Sequence, residues 1–164
     1  MSLVVRSIAL EAHAELCVHF RRDAFACSFA DGDKRFALES GEHAQDYINW
    51  LSKRITACPE SCVHVFDGPE IIGQIETELR GQEKLGYIYL FYLIPSRRGK
   101  GYSDQLHAYI MQLFQEVGVI RAQLSVSPTN QTAINFYKRH GWQDLGTRPG
   151  HTDINLMELS VEAP

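Results

Sequence analysis

Residues 85–94 read LGYIYLFYLI, a run rich in aromatic and β-branched side chains and apolar at odd and even positions alike. Alternation would mark a strand with one wet face, whereas a run apolar on both faces marks a strand covered on both sides. Pro95 ends it, because proline offers no N–H to a ladder. A chain holding such a strand needs a layer on each face. The expected class is therefore α/β (or α+β with a mixed sheet): a central mixed sheet with helices on both faces.

The other segments fit that frame. VVRSIAL (4–10) reads as a strand, followed by a helical stretch to about Phe25. FADGDKRFALES (29–40) reads as a polar connection. Ser40 precedes a helix with Ala44, Tyr47, Ile48, Leu51 and Ile55 on one face and Glu42 and His43 in its first turn. Residues 61–80 form a hairpin around Asp67-Gly68-Pro69. Leu106, Ile110, Leu113, Phe114 and Val117 make one helical face that ends at Gly118. A strand at 122–127, a helix from Asn130 to about His140, and two closing strands at 141–148 and 151–161 complete the order β-α-α-β-β-β-α-β-α-β-β. No repeat or linker divides the 164 residues, so one domain over 1–164 is expected.

Bulk properties narrow the partners. A net charge of −4 argues against a general binder of nucleic acid or anionic membrane, which needs a broad basic face. No apolar run reaches the roughly 18–20 residues that cross a bilayer. The first residues lack the basic n-region and long apolar core of a signal peptide. Cys17, Cys27, Cys58 and Cys62 form no paired framework, so reduced thiols and a cytoplasmic location are expected.

The link from the apolar strand to the next helix is IPSRRGKGYSDQL, residues 94–106. Helix-start amides have no partners within the helix, and the dipole places partial positive charge there. Glycines let backbone approach an anion, and Arg and Lys add formal charge. This is chemistry for phosphate, the plain alternative being a solvated basic loop. A Walker string is absent, and Asp104 stands where a Rossmann fingerprint would need its third glycine.

Pro95 followed by Arg98-Gly99-Lys100-Gly101-Tyr102-Ser103 resembles the Arg/Gln-x-x-Gly-x-Gly/Ala motif of the GNAT family of acetyl-CoA-dependent N-acetyltransferases. Ser103 replaces the usual Gly or Ala. Asn130-Gln131-Thr132-Ala133-Ile134-Asn135-Phe136-Tyr137, then Gly141-Trp142, is similar to the family's Asn-x-x-Ala-x-x-Phe-Tyr-x-x-x-Gly-Phe, with Trp142 for Phe. The likeness extends loosely over 61–159.

The resemblance implies a GNAT-like acyl-CoA N-acyltransferase fold, with an acceptor-side part at about 1–60 and an acetyl-CoA-binding core at about 61–159. It implies direct acetyl transfer from acetyl-CoA to a primary amine. Amides from Arg98 through Gly99, Lys100, Gly101 and Tyr102 to Ser103 would hold the coenzyme A pyrophosphate. Leu93 and Ile94 would pair through their backbone with the pantetheine arm, at a splay between strands 85–94 and 122–127. Asn130 would bond that arm, and Tyr137 would sit near the thioester sulfur.

The chemistry asks for amine deprotonation, oxyanion stabilisation and a proton for the leaving thiolate. Tyr137, a neutral phenol, suits the last role, against the plain reading of a core aromatic. Many members carry a glutamate on the strand equivalent to 85–94, which here has no acidic residue. Glu76 and Glu78, sharing one face of the preceding strand, are the candidate bases, directly or through water. Their plain alternative is an exposed polar face. Their charge hints at a cationic acceptor.

Other constellations carry less. Cys58-x-x-x-Cys62-x-His64 lacks a second ligand pair, so no metal is expected. His107 reads as a surface or helix-flank residue, Ser125 and Ser127 as strand polarity, and Arg21-Arg22-Asp23 as charge at a helix end. In this family that last region often borders the acceptor site. The acceptor that the resemblance implies is a small-molecule or protein amine, with a homodimer one compatible assembly. The competing function is a non-catalytic acyl-CoA-binding sensor or scaffold module.

Overall fold

The computed structural model describes residues 2–162. Seven strands form one mixed sheet in the order β1-β2-β3-β4-β5-β7-β6. They are β1 (Val4–Ser7), β2 (Cys62–Asp67), β3 (Glu70–Arg80), β4 (Leu85–Leu93), β5 (Arg121–Val126), β6 (Gln143–Thr147) and β7 (Asn155–Ser160). The helices are α1 (Leu10–Ser28), α2 (Gly32–Ser40), α3 (Gln45–Ala57), α4 (Tyr102–Glu116) and α5 (Gln131–Arg139). The central placement expected of 85–94 holds: β4 pairs antiparallel with β3 and parallel with β5.

Three boundaries differ from expectation. The supposed polar connection 29–40 contains α2, which packs on α1 and α3. Phe36 is buried there, edge-on to Phe25, and a Cβ on Gly32 would lie 2.5 Å from the Phe25 carbonyl oxygen. Tertiary contact, not local pattern, makes this helix. Next, α1 runs on to Ser28, so Arg21, Arg22 and Asp23 are interior helical positions rather than an end. Finally, Glu42 and His43 belong to a separate 3-10 turn before α3, with His43 and Ala44 left-handed at φ 52° and 58°.

Two layers cover the sheet. On one face Leu106, Ile110 and Phe114 of α4, with Ile134 and Tyr137 of α5, join Ile88, Leu93 and Leu124 in the main core. Gly86 serves that face, since a Cβ there would meet the Phe114 ring at 2.6 Å. Full burial of a ring such as Phe114 contributes about 1.5–3 kcal/mol. On the other face, Cys17, Tyr47 and Leu51 of α1 and α3 pack with Ile8 and Cys62, while Phe20 packs with Leu90 and Tyr92.

A β-bulge separates these two sets on β4. Glu76 pairs with Leu90 but Thr77 pairs with Ile88, leaving Tyr89 without a partner on β3. The extra residue re-phases the strand. Gly86 and Ile88 face α4, whereas Leu90 and Tyr92 face α1.

Candidate active site

Just past the bulge the sheet opens. The parallel pairing of β4 with β5 runs only from Leu85↔Arg121 to Ile88↔Leu124. Beyond it the strands part, and a cavity of about 510 Å³ fills the wedge. Its walls are Tyr87–Phe91 of β4, Leu124–Ser127, α5 through Asn130, Ala133 and Tyr137, α1 and α2, and the 148–154 link between β6 and β7.

The edge of β4 along this wedge keeps free backbone groups. Ile94 N–H donates to the Ile72 carbonyl at 2.8 Å, and the Ile94 carbonyl accepts from Arg97 N–H at 3.0 Å. Ladder alternation then turns Phe91 and Leu93 toward the wedge. Of the two expected backbone partners, Leu93 faces the opening; Ile94 faces β3, a correction. The Leu93 carbonyl accepts from Arg98 Nε at 2.7 Å, which leaves its N–H as the available group.

At the end of β4 the chain passes through a 3-10 turn, Pro95–Arg97, and reaches α4 through Gly99 and Gly101. Both glycines have positive φ, 71° and 87°, and a Cβ at either would meet nothing within 4 Å. The space beside this backbone is open. Among the described residues no side chain caps α4, so the first amides, of Tyr102 and Ser103, have no partner at its N-terminus. That fits an anionic group. The charge available is less than the sequence counts. Arg97 is bound to Asp67 and Glu70, and Arg98 to Asp23. Lys100 bonds only the Ser96 carbonyl, at 2.9 Å. It is the one cation of the turn without an acidic partner among the described residues.

Asn130 and Tyr137 both line the cavity. Asn130 caps α5 by accepting from Ala133 N–H at 3.2 Å, and its amide donates to Ser28 Oγ at 3.2 Å. Tyr137 is 7% exposed, and its hydroxyl makes no hydrogen bond among the described residues. Burial holds that phenol above its ordinary pKa, so it stays protonated.

Glu76 and Glu78 do share a face of β3, but neither lines the cavity, and the face is not an exposed polar one. Glu76 is fully buried, accepting from Tyr47 Oη and, at 2.7 Å, from Gln74 Nε2. Gln74 Oε1 in turn lies 2.7 Å from His64 Nε2. Burial raises the Glu76 pKa, opposed by the Arg21 charge. Glu78 is held by Arg54 and Arg80. Partial burial works against its ionisation, but the Arg80 hydrogen bond and both guanidinium charges bring its pKa below the usual range. Its one link to the cavity is Tyr89, whose hydroxyl donates to Glu78 Oε1 at 3.2 Å.

Sequence reasoning missed the opposite wall. Arg148 Nη1 donates to Ser125 Oγ at 2.9 Å and to Tyr87 Oη at 3.2 Å, so Ser125 is more than strand polarity. Arg21, Arg35, Glu39, His151 and Asp153 also face the cavity. Only the Arg21 region carried a signal, through the resemblance; the others share no spacing. Acidic Glu76 and Glu78 therefore say nothing about the acceptor's charge, and arginines replace them at the cavity.

His107 is likewise not a surface residue. It is 5% exposed, accepts a hydrogen bond from Trp142 Nε1 at 3.0 Å and stacks on His140 at 4.1 Å. No cluster of three or more metal-ligating side chains occurs among the described residues. No described helix is long and apolar enough to cross a membrane.

The chain is similar to known proteins in sequence and in fold. An uncharacterised N-acetyltransferase of Bacillus subtilis, YycN, is 34% identical over 70 residues, 43% of this chain and 45% of that relative. The match thus spans less than half of YycN. A PaiA N-acetyltransferase from Thermoplasma acidophilum, solved with coenzyme A, superposes at a TM-score of 0.76, with 17% identity, over 98% of this chain and 99% of its own. A spermidine N-acetyltransferase from Vibrio cholerae, solved with CoA and spermine, gives 0.73 at 15% identity over 97% and 95%. At such identities the likeness is one of fold. The profile of the Acetyltransferase (GNAT) family matches residues 21–142, and the chain belongs to that family.

Proposed function

We propose that this protein is an acetyl-CoA-dependent N-acetyltransferase that acetylates a primary amine by direct transfer. The observation carrying the reading is the wedge between β4 and β5. It opens along the edge of β4, the strand that leads through the glycine turn into an uncapped helix N-terminus, and its wall holds a buried phenol, Tyr137, with no hydrogen-bond partner among the described residues. Acetyl-CoA would supply the acetyl group as a thioester.

Each residue then has a task. The amides from Arg98 to Ser103, with Lys100, receive the pyrophosphate. The Leu93 N–H pairs with the pantetheine amide in the manner of an added strand, and Asn130 bonds the same arm. The Phe91 N–H, on the same edge of β4, is the donor for a carbonyl oxygen gaining negative charge. Tyr137 holds the proton for the departing sulfur. Glu76 is sealed from the cavity and sets the position of Tyr47 and Gln74. Glu78 reaches the acceptor amine only through Tyr89, as a proton relay.

Calorimetry with acetyl-CoA, followed by thiol release across an amine panel, tests the reading. Binding with thiol release supports it. Binding without release from any amine would favour a non-catalytic acyl-CoA sensor, which the withdrawal of both glutamates from the cavity makes the second reading. Absence of binding would overturn both.

A further inference from the structure

We infer that the acceptor bears a carboxylate close to its amine, and that Arg148 binds this carboxylate at the apex of the wedge. The inference deepens the transferase reading and rests on it.

Ser125 follows the last β5 position paired to β4, so its contact with Arg148 fixes the guanidinium where the two strands part. Arg148 is half-buried and lies 5.6 Å from the Tyr87 ring centroid. Its protein contacts are the neutral hydroxyls of Ser125 and Tyr87, both through Nη1. Nε and Nη2 have no hydrogen-bond partner among the described residues. A guanidinium pinned by one nitrogen presents the remaining edge of its fork, the geometry that takes a carboxylate in two parallel bonds.

A second cation repeats the imbalance. The Arg21 guanidinium stands over the rings of Tyr47 and Phe25 at 4.5 and 5.1 Å, and its buried Nε has no partner among the described residues. Glu76 acts on it through space without a salt bridge. Arg35, by contrast, is paired with Asp31 and Asp153. Among the described residues the cavity thus holds two guanidiniums without an ion-pair partner against one such carboxylate, the exposed Glu39. Partly dehydrated cations of this kind attract an anion and repel a polycation. A carboxylate on Arg148 leaves an amine one carbon away at the wedge apex. The chemistry describes an α-amino acid, and it disfavours a polyamine.

The test is thiol-release kinetics on matched pairs: leucine with 3-methylbutylamine, and phenylalanine with 2-phenylethylamine, plus spermidine. Rates are corrected for the fraction of free amine. The carboxylated member should lead by about 10–100-fold in kcat/KM, the range for a hydrogen bond to a charged group. Arg148→Gln should collapse that ratio to within about threefold, and Arg148→Lys, keeping charge without the fork, should recover part of it. Circular dichroism melting checks that each variant folds. A lead for spermidine or the carboxylate-free amines, or a ratio unmoved by Arg148→Gln, overturns the inference. Should no amine turn over, calorimetry of N-acetylleucine against N-(3-methylbutyl)acetamide still decides. Carboxylate-dependent binding lost in Arg148→Gln supports the inference; its absence overturns it. Failure of coenzyme A itself to bind instead overturns the transferase reading.

Discussion

Arg98 Nη2 lies 2.9 Å from Asp23 Oδ2, joining the glycine turn to α1 across 75 residues of sequence. Asp23 also accepts from Tyr92 Oη at 2.6 Å, so strand, turn and helix meet at one carboxylate. The pair is 39% and 30% exposed on its two side chains, so it adds no more than about 1 kcal/mol to stability. Its weight falls on the cofactor end. Arg98→Ala should raise the acetyl-CoA dissociation constant about tenfold, through an Asp23 carboxylate left without its cation beside the turn and a loosened Leu93 carbonyl, and flatten its salt dependence. Calorimetry at low and high salt measures both.

Tyr137→Phe separates binding from chemistry. Its hydroxyl has no partner among the described residues, so its removal should leave unfolding free energy within about 0.5 kcal/mol. Acetyl-CoA affinity should stay within about threefold while kcat falls about 10²–10⁴-fold, the span of a lost general acid. An unchanged kcat would return Tyr137 to a packing role.

Gly101 and Gly118 form a matched pair, with φ of 87° and 81° and nothing within 4 Å of an added Cβ. Alanine at either should cost about 1–2 kcal/mol from the left-handed backbone alone. Only Gly101→Ala should also weaken acetyl-CoA, because Gly118 lies at the far end of α4. Equal binding by the two variants would remove the turn from the cofactor site.

The buried His107 predicts a pH-dependent stability. Burial, with the neighbouring His140 charge, pushes its pKa down to about 4 from the usual 6.5. It is neutral in the folded state where the unfolded chain is already binding a proton. Stability is therefore full above about pH 6.5 and lost as pH falls toward 4, by up to about 3 kcal/mol. Protonation would also turn its Nε2 acceptor against the Trp142 N–H. Urea unfolding at several pH values should show a shallower acid loss in His107→Gln; parallel curves would contradict this.

The strand 85–94, the glycine turn and α4 were legible because local chemistry writes them: two apolar faces, a proline stop, glycines at positive φ and a periodic helix face. α2 was not, since Phe36 and Gly32 make it helical only against α1. Alternation placed Glu76 and Glu78 on one face, but α3 decides that the face is covered. The bulge at Tyr89 left no trace in composition, and it sets which β4 side chains meet α1. Arg148, Ser125 and Tyr87 converge from three segments that no spacing connects.

Amide NMR titration with coenzyme A reads the wedge residue by residue. The predicted result is saturable shifts at Leu93, at Gly99 to Ser103 and around Asn130 and Tyr137, with Ile94 and the Glu76 network little moved. Shifts confined to other surfaces, or none at saturating coenzyme A, would contradict the assignment of the β4–β5 wedge as the acetyl-CoA site.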